Sequence, residues 1–251
     1  MHNGFLGGFP RYKRQLLGLL RDDIADSIDG TTDSQHAFAV YLQCLSEVLS
    51  GGDLSAKPTW SQMARAMQAA VWRLAELSAE VAAAAAPAEW EQAEASAVHL
   101  TASQADVSPS PVMPDSAEAS KDAEAPAPRD LSTLEAGMPS MLNFVVSDGD
   151  TVIASRVSLG EAANASLHFT VGSEWLPAQA GAGAYRMAQR DVRSRAVIIA
   201  SERLTSAAQD WVSVPPQTVL VVTPSARVLI LPLNDSAAWA EDGPLGPVQA
   251  S

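Results

Sequence analysis

The first ten residues, MHNGFLGGFP, hold the residue types from which a cradle for developing negative charge is built. His2-Asn3-Gly4, followed by Gly7-Gly8, offers a side-chain amide and unhindered backbone N–H groups. Donors of this kind form an oxyanion hole in acyl transfer. The same Asn3-Gly4 pair also reads as a tight turn, because both residues tolerate positive φ. A second candidate lies in Gly30-Thr31-Thr32-Asp33-Ser34. The Asp33 carboxylate, at a helix start, is either an N-cap or the acceptor for a substrate ammonium group. An anion cradle and an ammonium acceptor together suit an amino-acid amide. The attacking group that such a site needs is harder to find. Cys44 is the single cysteine, and it falls within an apolar helical stripe, as a small buried hydrophobe would. There is no Gly-rich phosphate loop with Lys, no Cys/His metal spacing and no dinucleotide fingerprint. The four histidines form no triad with an elbow-type serine. No cofactor and no metal are implied.

The elements that must position these residues follow from periodicity. Pro10 suits the first turn of a helix carrying Leu16, Leu17, Leu20, Ile24 and Ile28, with Gly30 as its C-cap. A second helix opens at Thr31–Ser34 and buries Ala37, Val40, Tyr41, Cys44, Leu45 and Val48. Gly51-Gly52 breaks it, and the capping box Thr59-Trp60-Ser61-Gln62 opens a third with Met63, Met67, Ala70, Val71, Leu74 and Leu77 inward. Beyond Glu80 the composition turns to Ala, Glu, Ser and Pro. Eleven acidic residues face only Lys121 and Arg129 between Glu80 and Glu135, so nine of the thirteen net negative charges sit there. Residues 81–139 are therefore expected to be a disordered insertion, with His99 solvated. From Met141 the period becomes that of strands. Asp148-Gly149 marks a hairpin, 165–171 and 196–200 read as further strands, and Thr223–Arg227 joins a second hairpin. His168 falls among the polar positions of its strand and is expected to be exposed. Helices first and antiparallel strands last predict an α+β layered domain.

The chain of 251 residues carries a net charge of −13, which argues against nucleic acid and offers no attraction to anionic lipid. No apolar run is long enough to span a bilayer, and the N-terminal stretch lacks the apolar core of a secretory signal. A single cysteine excludes an internal disulfide and fits a reducing compartment, so a cytoplasmic location is expected.

The run HNGFLGGFPRYKR, then GTTDSQHAFA, resembles the class II glutamine amidotransferases. Leu142-Asn143-Phe144 with Asp148-Gly149, Ala165-Ser166-Leu167, Ala200-Ser201-Glu202-Arg203-Leu204-Thr205 and Asp210–Pro215 are similar to one branch of that family, which includes the amidotransferase subunit of the fungal glutathione-degradation complex. Arg203 departs from the pattern, where a proline is expected.

The resemblance implies an N-terminal nucleophile hydrolase, a four-layer αββα sandwich whose attacking cysteine follows the initiator methionine. Carried over, the Asn3 side-chain amide and the Gly4 N–H would be the oxyanion hole, and Asp33 would bind the α-ammonium of a γ-glutamyl substrate. The nucleophile does not carry over. Met1-His2 supplies none, so the chain is expected to be a partial, N-terminally truncated αββα domain, inactive alone. In this organisation 1–80 is the helical part of the amidotransferase domain and 81–139 the insertion. Residues 140–233 are the β-rich part, and 234–251 form a flexible tail. Strands after Met141 are expected to stack in one sheet, with Asn3 and Asp33 together on its rim. Three readings remain open. One is an incomplete γ-glutamyl amide hydrolase acting on glutamine or a glutathione-like compound, with a peptidase-like partner subunit. Another is a non-catalytic binding or regulatory remnant that docks on a partner. The last is an unrelated α+β interaction domain.

Overall fold

The computed structural model describes residues 1–97, 130–162, 165–177, 185–188 and 196–239. The chain opens with a strand, β1 (His2–Phe5), followed by α1 (Phe9–Gly18), α2 (Asp22–Asp26), α3 (Asp33–Val48) and the long α4 (Trp60–Ala97). After α5 (Ser132–Ala136) come β2 (Ser140–Ser147), β3 (Val152–Arg156), β4 (Ser158–Leu159), β5 (His168–Gly172), β6 (Glu174–Pro177), β7 (Tyr185–Ala188) and β8 (Ala196–Ala200). The last elements are β9 (Val212–Ser213), β10 (Thr218–Val222), β11 (Val228–Pro232) and α6 (Ser236–Trp239).

The strands form three sheets, not one: six strands in the order β1-β2-β3-β10-β11 with β4 on β2, three in the order β8-β5-β9, and the hairpin β6-β7. The alternation of side chains along β2 explains the stacking. Leu142, Phe144 and Val146 face the helices and join a large core with Tyr12 and Leu16 of α1, Val40 and Cys44 of α3 and Met67, Trp72 and Leu74 of α4. Val145 faces the other way, into a small cluster with Ala154, Leu167, Phe169, Val214 and Leu220 between the two larger sheets. Helices, six-stranded sheet and three-stranded sheet make three layers. A second helical layer is not among the described residues. Arg156, at the end of β3, ties the layers by donating from Nε to the Ala165 carbonyl (2.8 Å) and from Nη1 to the Val214 carbonyl.

Several local expectations hold. The Asp148-Gly149 hairpin joins β2 to β3, and Thr223–Arg227 joins β10 to β11. Thr59 and Gln62 exchange capping bonds at the start of α4, and Cys44 is fully buried.

Other expectations are corrected. The helix drawn from Pro10 to Ile28 is two helices, because the Arg21 N–H is drawn to Gln43 Oε1 of α3 (2.9 Å) and its guanidinium to the Gly52 carbonyl (2.8 Å). Gly30 is no C-cap, since α2 ends at Asp26. A Cβ at Gly30 would lie 2.0 Å from the Gln35 side chain, so its bareness makes room for a cap at the next helix. Helix α4 runs through Ala82–Ala86 to Ala97, as alanine's helix preference permits, so the helix does not stop at residue 80. Of the segment expected to be disordered, 81–97 are helical and 132–136 form α5. Residues 98–129, with His99, lie outside the described residues. The segment from 234 begins with α6, whose Trp239 is buried and donates from Nε1 to the Pro232 carbonyl (2.7 Å); 240–251 lie outside the described residues.

Candidate functional site

His2-Asn3-Gly4 is neither a loop nor a turn. It is the body of β1, paired antiparallel with β2 in the register His2↔Phe144, Asn3↔Asn143, Gly4↔Leu142 and Phe5↔Met141. Met1 and Val145 exchange both backbone hydrogen bonds, each 2.8 Å. Bonded and non-bonded pairs alternate in such a ladder, so Asn3 is bonded to Asn143 while Gly4 turns its N–H and C=O away from β2. The other strand agrees. The Leu142 N–H goes to the Val157 carbonyl (2.8 Å) and the Phe144 N–H to Ser155 Oγ (3.0 Å). Because β1 ends the sheet, the Gly4 N–H faces an open edge. Glycine is required by close approach: a Cβ there would sit 2.0 Å from the Met141 carbonyl oxygen.

The side chains of β1 split between its faces. His2 lies on the helix side, 4.5 Å from the Phe144 ring. Its Nε2 donates to the Met141 carbonyl (2.9 Å), which can only accept, and Nδ1 pairs with Ser34 Oγ (2.9 Å). Asn3 lies on the opposite face and is exposed. There it lines a cavity of about 100 Å³ between the two sheets, with Asn143, Leu167 and Ile199. Ser155 also lines it, but its hydroxyl is committed to the Phe144 N–H and the Leu142 carbonyl (2.7 Å).

Asp33 is the first residue of α3, not its cap. Thr32 and Gln35 form the capping box. The carboxylate thereby freed reaches back to the strand: Oδ2 accepts the Leu6 N–H (2.8 Å) and Oδ1 the Ser34 N–H (2.7 Å). Burial first, then the Asp33 charge, pushes the Tyr12 phenol well above the ordinary tyrosine value and keeps it neutral. Asp33 is half-buried and holds the residue two past Gly4, so the structure links the two sequence candidates through one short segment. The link runs also through Ser34, whose hydroxyl lies between His2 Nδ1 and Asp33 Oδ1 (3.3 Å). Ser34 and Asn143 lie in stretches that carry the family resemblance, but only their pairing partners reveal what they contact.

Beside the cavity, Ser166, His168 and residues 202–206 line an open groove of about 550 Å³. His168 is partly buried, not exposed as expected. Burial, then the charges of Arg203 and Arg156, hold its imidazole below the ordinary histidine value. Cys44 lies in the helix-side core, on the far face of the sheet from Asn3. Among the described residues no group of three or more His, Cys, Asp or Glu could hold a metal ion, and no helix is long and apolar enough to cross a membrane.

No protein-family model matches the chain. Its sequence is similar to that of the probable glutamine amidotransferase DUG3 of Saccharomyces cerevisiae. The two are 28% identical over 247 residues, 98% of this chain and 54% of that protein. The chain thus spans about half the length of this relative. A solved structure, that of a glutamine aminotransferase class-II domain protein from Silicibacter pomeroyi, aligns at a TM-score of 0.46 and 19% identity over 94% of this chain and 67% of that one. The sequence similarity covers nearly all of this chain and bears out the resemblance to the glutamine amidotransferases.

Proposed function

Taking the likeness to the class II glutamine amidotransferases as premise, we propose that this chain carries the oxyanion and substrate-binding part of a site for γ-glutamyl amides. The observation that carries the reading is the open Gly4 N–H beside the Asn3 side chain, on a strand whose exit is fastened to Asp33. A γ-carbonyl oxygen placed at the edge of β1 accepts from both donors. Strand pairing sets the direction of the Gly4 N–H and the face on which the Asn3 side chain stands before any substrate arrives, which limits the reorganisation that opposes charge development on that oxygen. Asp33 already accepts two backbone N–H groups, and its remaining lone pairs receive the α-ammonium. Cys44 takes no part, being buried across the sheet.

Titration of the chain with L-glutamine and with γ-glutamyl dipeptides, followed by calorimetry, tests this. Binding should be weakened at least tenfold by Asn3→Ala and by Asp33→Asn. No binding, or ammonia release that Cys44→Ala abolishes, overturns the reading.

A second reading rests on the same open edge. A strand with unpaired backbone groups is a template for strand addition, which suits docking of a partner subunit along β1. In that case complex formation protects the Gly4 amide from hydrogen exchange.

A further inference from the structure

Across the ladder from Asn3, on the same face of the sheet, stands Asn143, 4% exposed and lining the same cavity. Its Nδ2 donates to the Ser166 carbonyl (3.4 Å), and since a carbonyl only accepts, this fixes which end of the amide is nitrogen. Oδ1 is left buried, with no donor among the described residues. Of the rest of the lining, Val145, Leu167 and Ile199 offer no donor and the Ser155 hydroxyl is spent on the backbone of β2, while the Ser201 hydroxyl, the Met1 ammonium and the Asn3 amide make no bond to Oδ1. A buried acceptor without a donor is costly to leave unmade, so a ligand that brings an N–H to it is favoured over one that does not.

We propose that Asn143 is a specificity-determining residue that accepts a hydrogen bond from the N–H of the substrate's γ-amide, and so selects amides over esters. The proposal rests on the oxyanion reading above. Bonded residues of an antiparallel pair have Cα atoms roughly 5.5 Å apart, so the Asn3 and Asn143 side chains can flank one carboxamide. Asn3 donates to its oxygen while Asn143 accepts from its nitrogen. The cavity, about 100 Å³, is roughly the liquid volume of three waters and admits a carboxamide. An ester oxygen in the amide's place offers no proton and sets lone pair against lone pair.

The test uses two probes that differ only in N–H against O, the γ-methylamide and the γ-methyl ester of L-glutamate. Both are titrated into the full chain by calorimetry. The wild-type chain should bind the amide about tenfold more tightly, the size of one buried hydrogen bond. Asn143→Leu should bind the two probes equally, by weakening for the amide, whereas Asn3→Ala weakens both. Equal affinity of the wild-type chain for the two probes overturns the proposal without any variant. So does a preference that survives in Asn143→Leu, which happens if Oδ1 is served only by water. If the wild-type chain binds neither probe, the oxyanion reading itself fails and this proposal with it.

Discussion

Strand β2 presents two faces that do different work. On the helix side its alternate residues enter a continuous core in which Leu142 is fully buried among the side chains of three helices. On the other side the cluster between the sheets is small, a cavity interrupts it, and Asn143 holds an unserved acceptor there. Neighbouring residues of one strand therefore belong to different problems. The helix side supplies the apolar burial that holds the domain together. The inter-sheet side sets polar groups beside a cavity, at some loss of packing. The two-residue period of the strand separates the packed face from the face that holds the proposed site.

Substitutions at adjacent positions sharpen this contrast. The largest effect is expected for Leu142→Ala, which should lower unfolding free energy by about 2–5 kcal/mol in denaturant titration, as for other fully buried leucines. A loss much below this range would erase the distinction between the faces. Ser155→Ala comes next. The Ser155 hydroxyl both accepts the Phe144 N–H and donates to the Leu142 carbonyl where the β2–β3 ladder is interrupted, so its removal strands two buried backbone groups. A cost of about 1–3 kcal/mol follows, and hydrogen exchange should quicken at Phe144 before it does in α3.

A smaller effect belongs to the helix surface, where Arg73 makes a bidentate pair with Glu47 (3.0 and 3.2 Å). Burial pushes the Glu47 carboxyl up, but bonds from Arg73 and Gln43 outweigh it and leave the group below its ordinary value of 4.5. A carboxyl lowered by folding adds stability above its unfolded value and loses it as pH falls through the folded one. A double-mutant cycle with Glu47→Gln and Arg73→Gln should therefore give about 0.2–1 kcal/mol at pH 7, fading below pH 4.5. Coupling that persists in acid would show that packing, not charge, joins the two. The smallest change is expected at Asn143→Leu. Replacing a buried amide whose oxygen is unserved and whose nitrogen makes one long bond, to the Ser166 carbonyl (3.4 Å), by an apolar group of like size should alter stability by under ~1 kcal/mol. Instability comparable to that of Leu142→Ala would show that the inter-sheet face also bears the fold.

Much of the architecture was readable because its determinants are local. Asp148-Gly149 specifies its own hairpin, Thr59 and Gln62 specify their own capping box, and the stripe containing Cys44 specifies its burial. Misreadings arose where distant groups compete with local ones. Leu16 to Ile28 has the period of one helix, yet Gln43 and Gly52 capture Arg21 and divide it. The alanine run has the composition of a disordered segment, yet alanine's helix propensity lets α4 continue through it.

The N-terminal segment shows the division most clearly. By itself the sequence determined which chemistry was on offer there, because an amide, a glycine N–H and a carboxylate are properties of residue type. It could not determine their arrangement. Asn3-Gly4 prefers a turn locally and becomes a strand only because β2, some 140 residues away in the chain, pairs with it. That pairing alone turns the Gly4 N–H to the open edge and sets Asn143 opposite Asn3, and the Thr32–Gln35 cap alone releases Asp33 to reach Leu6. Residue types are fixed one position at a time, whereas the direction of a hydrogen bond is fixed by whatever the rest of the chain brings alongside.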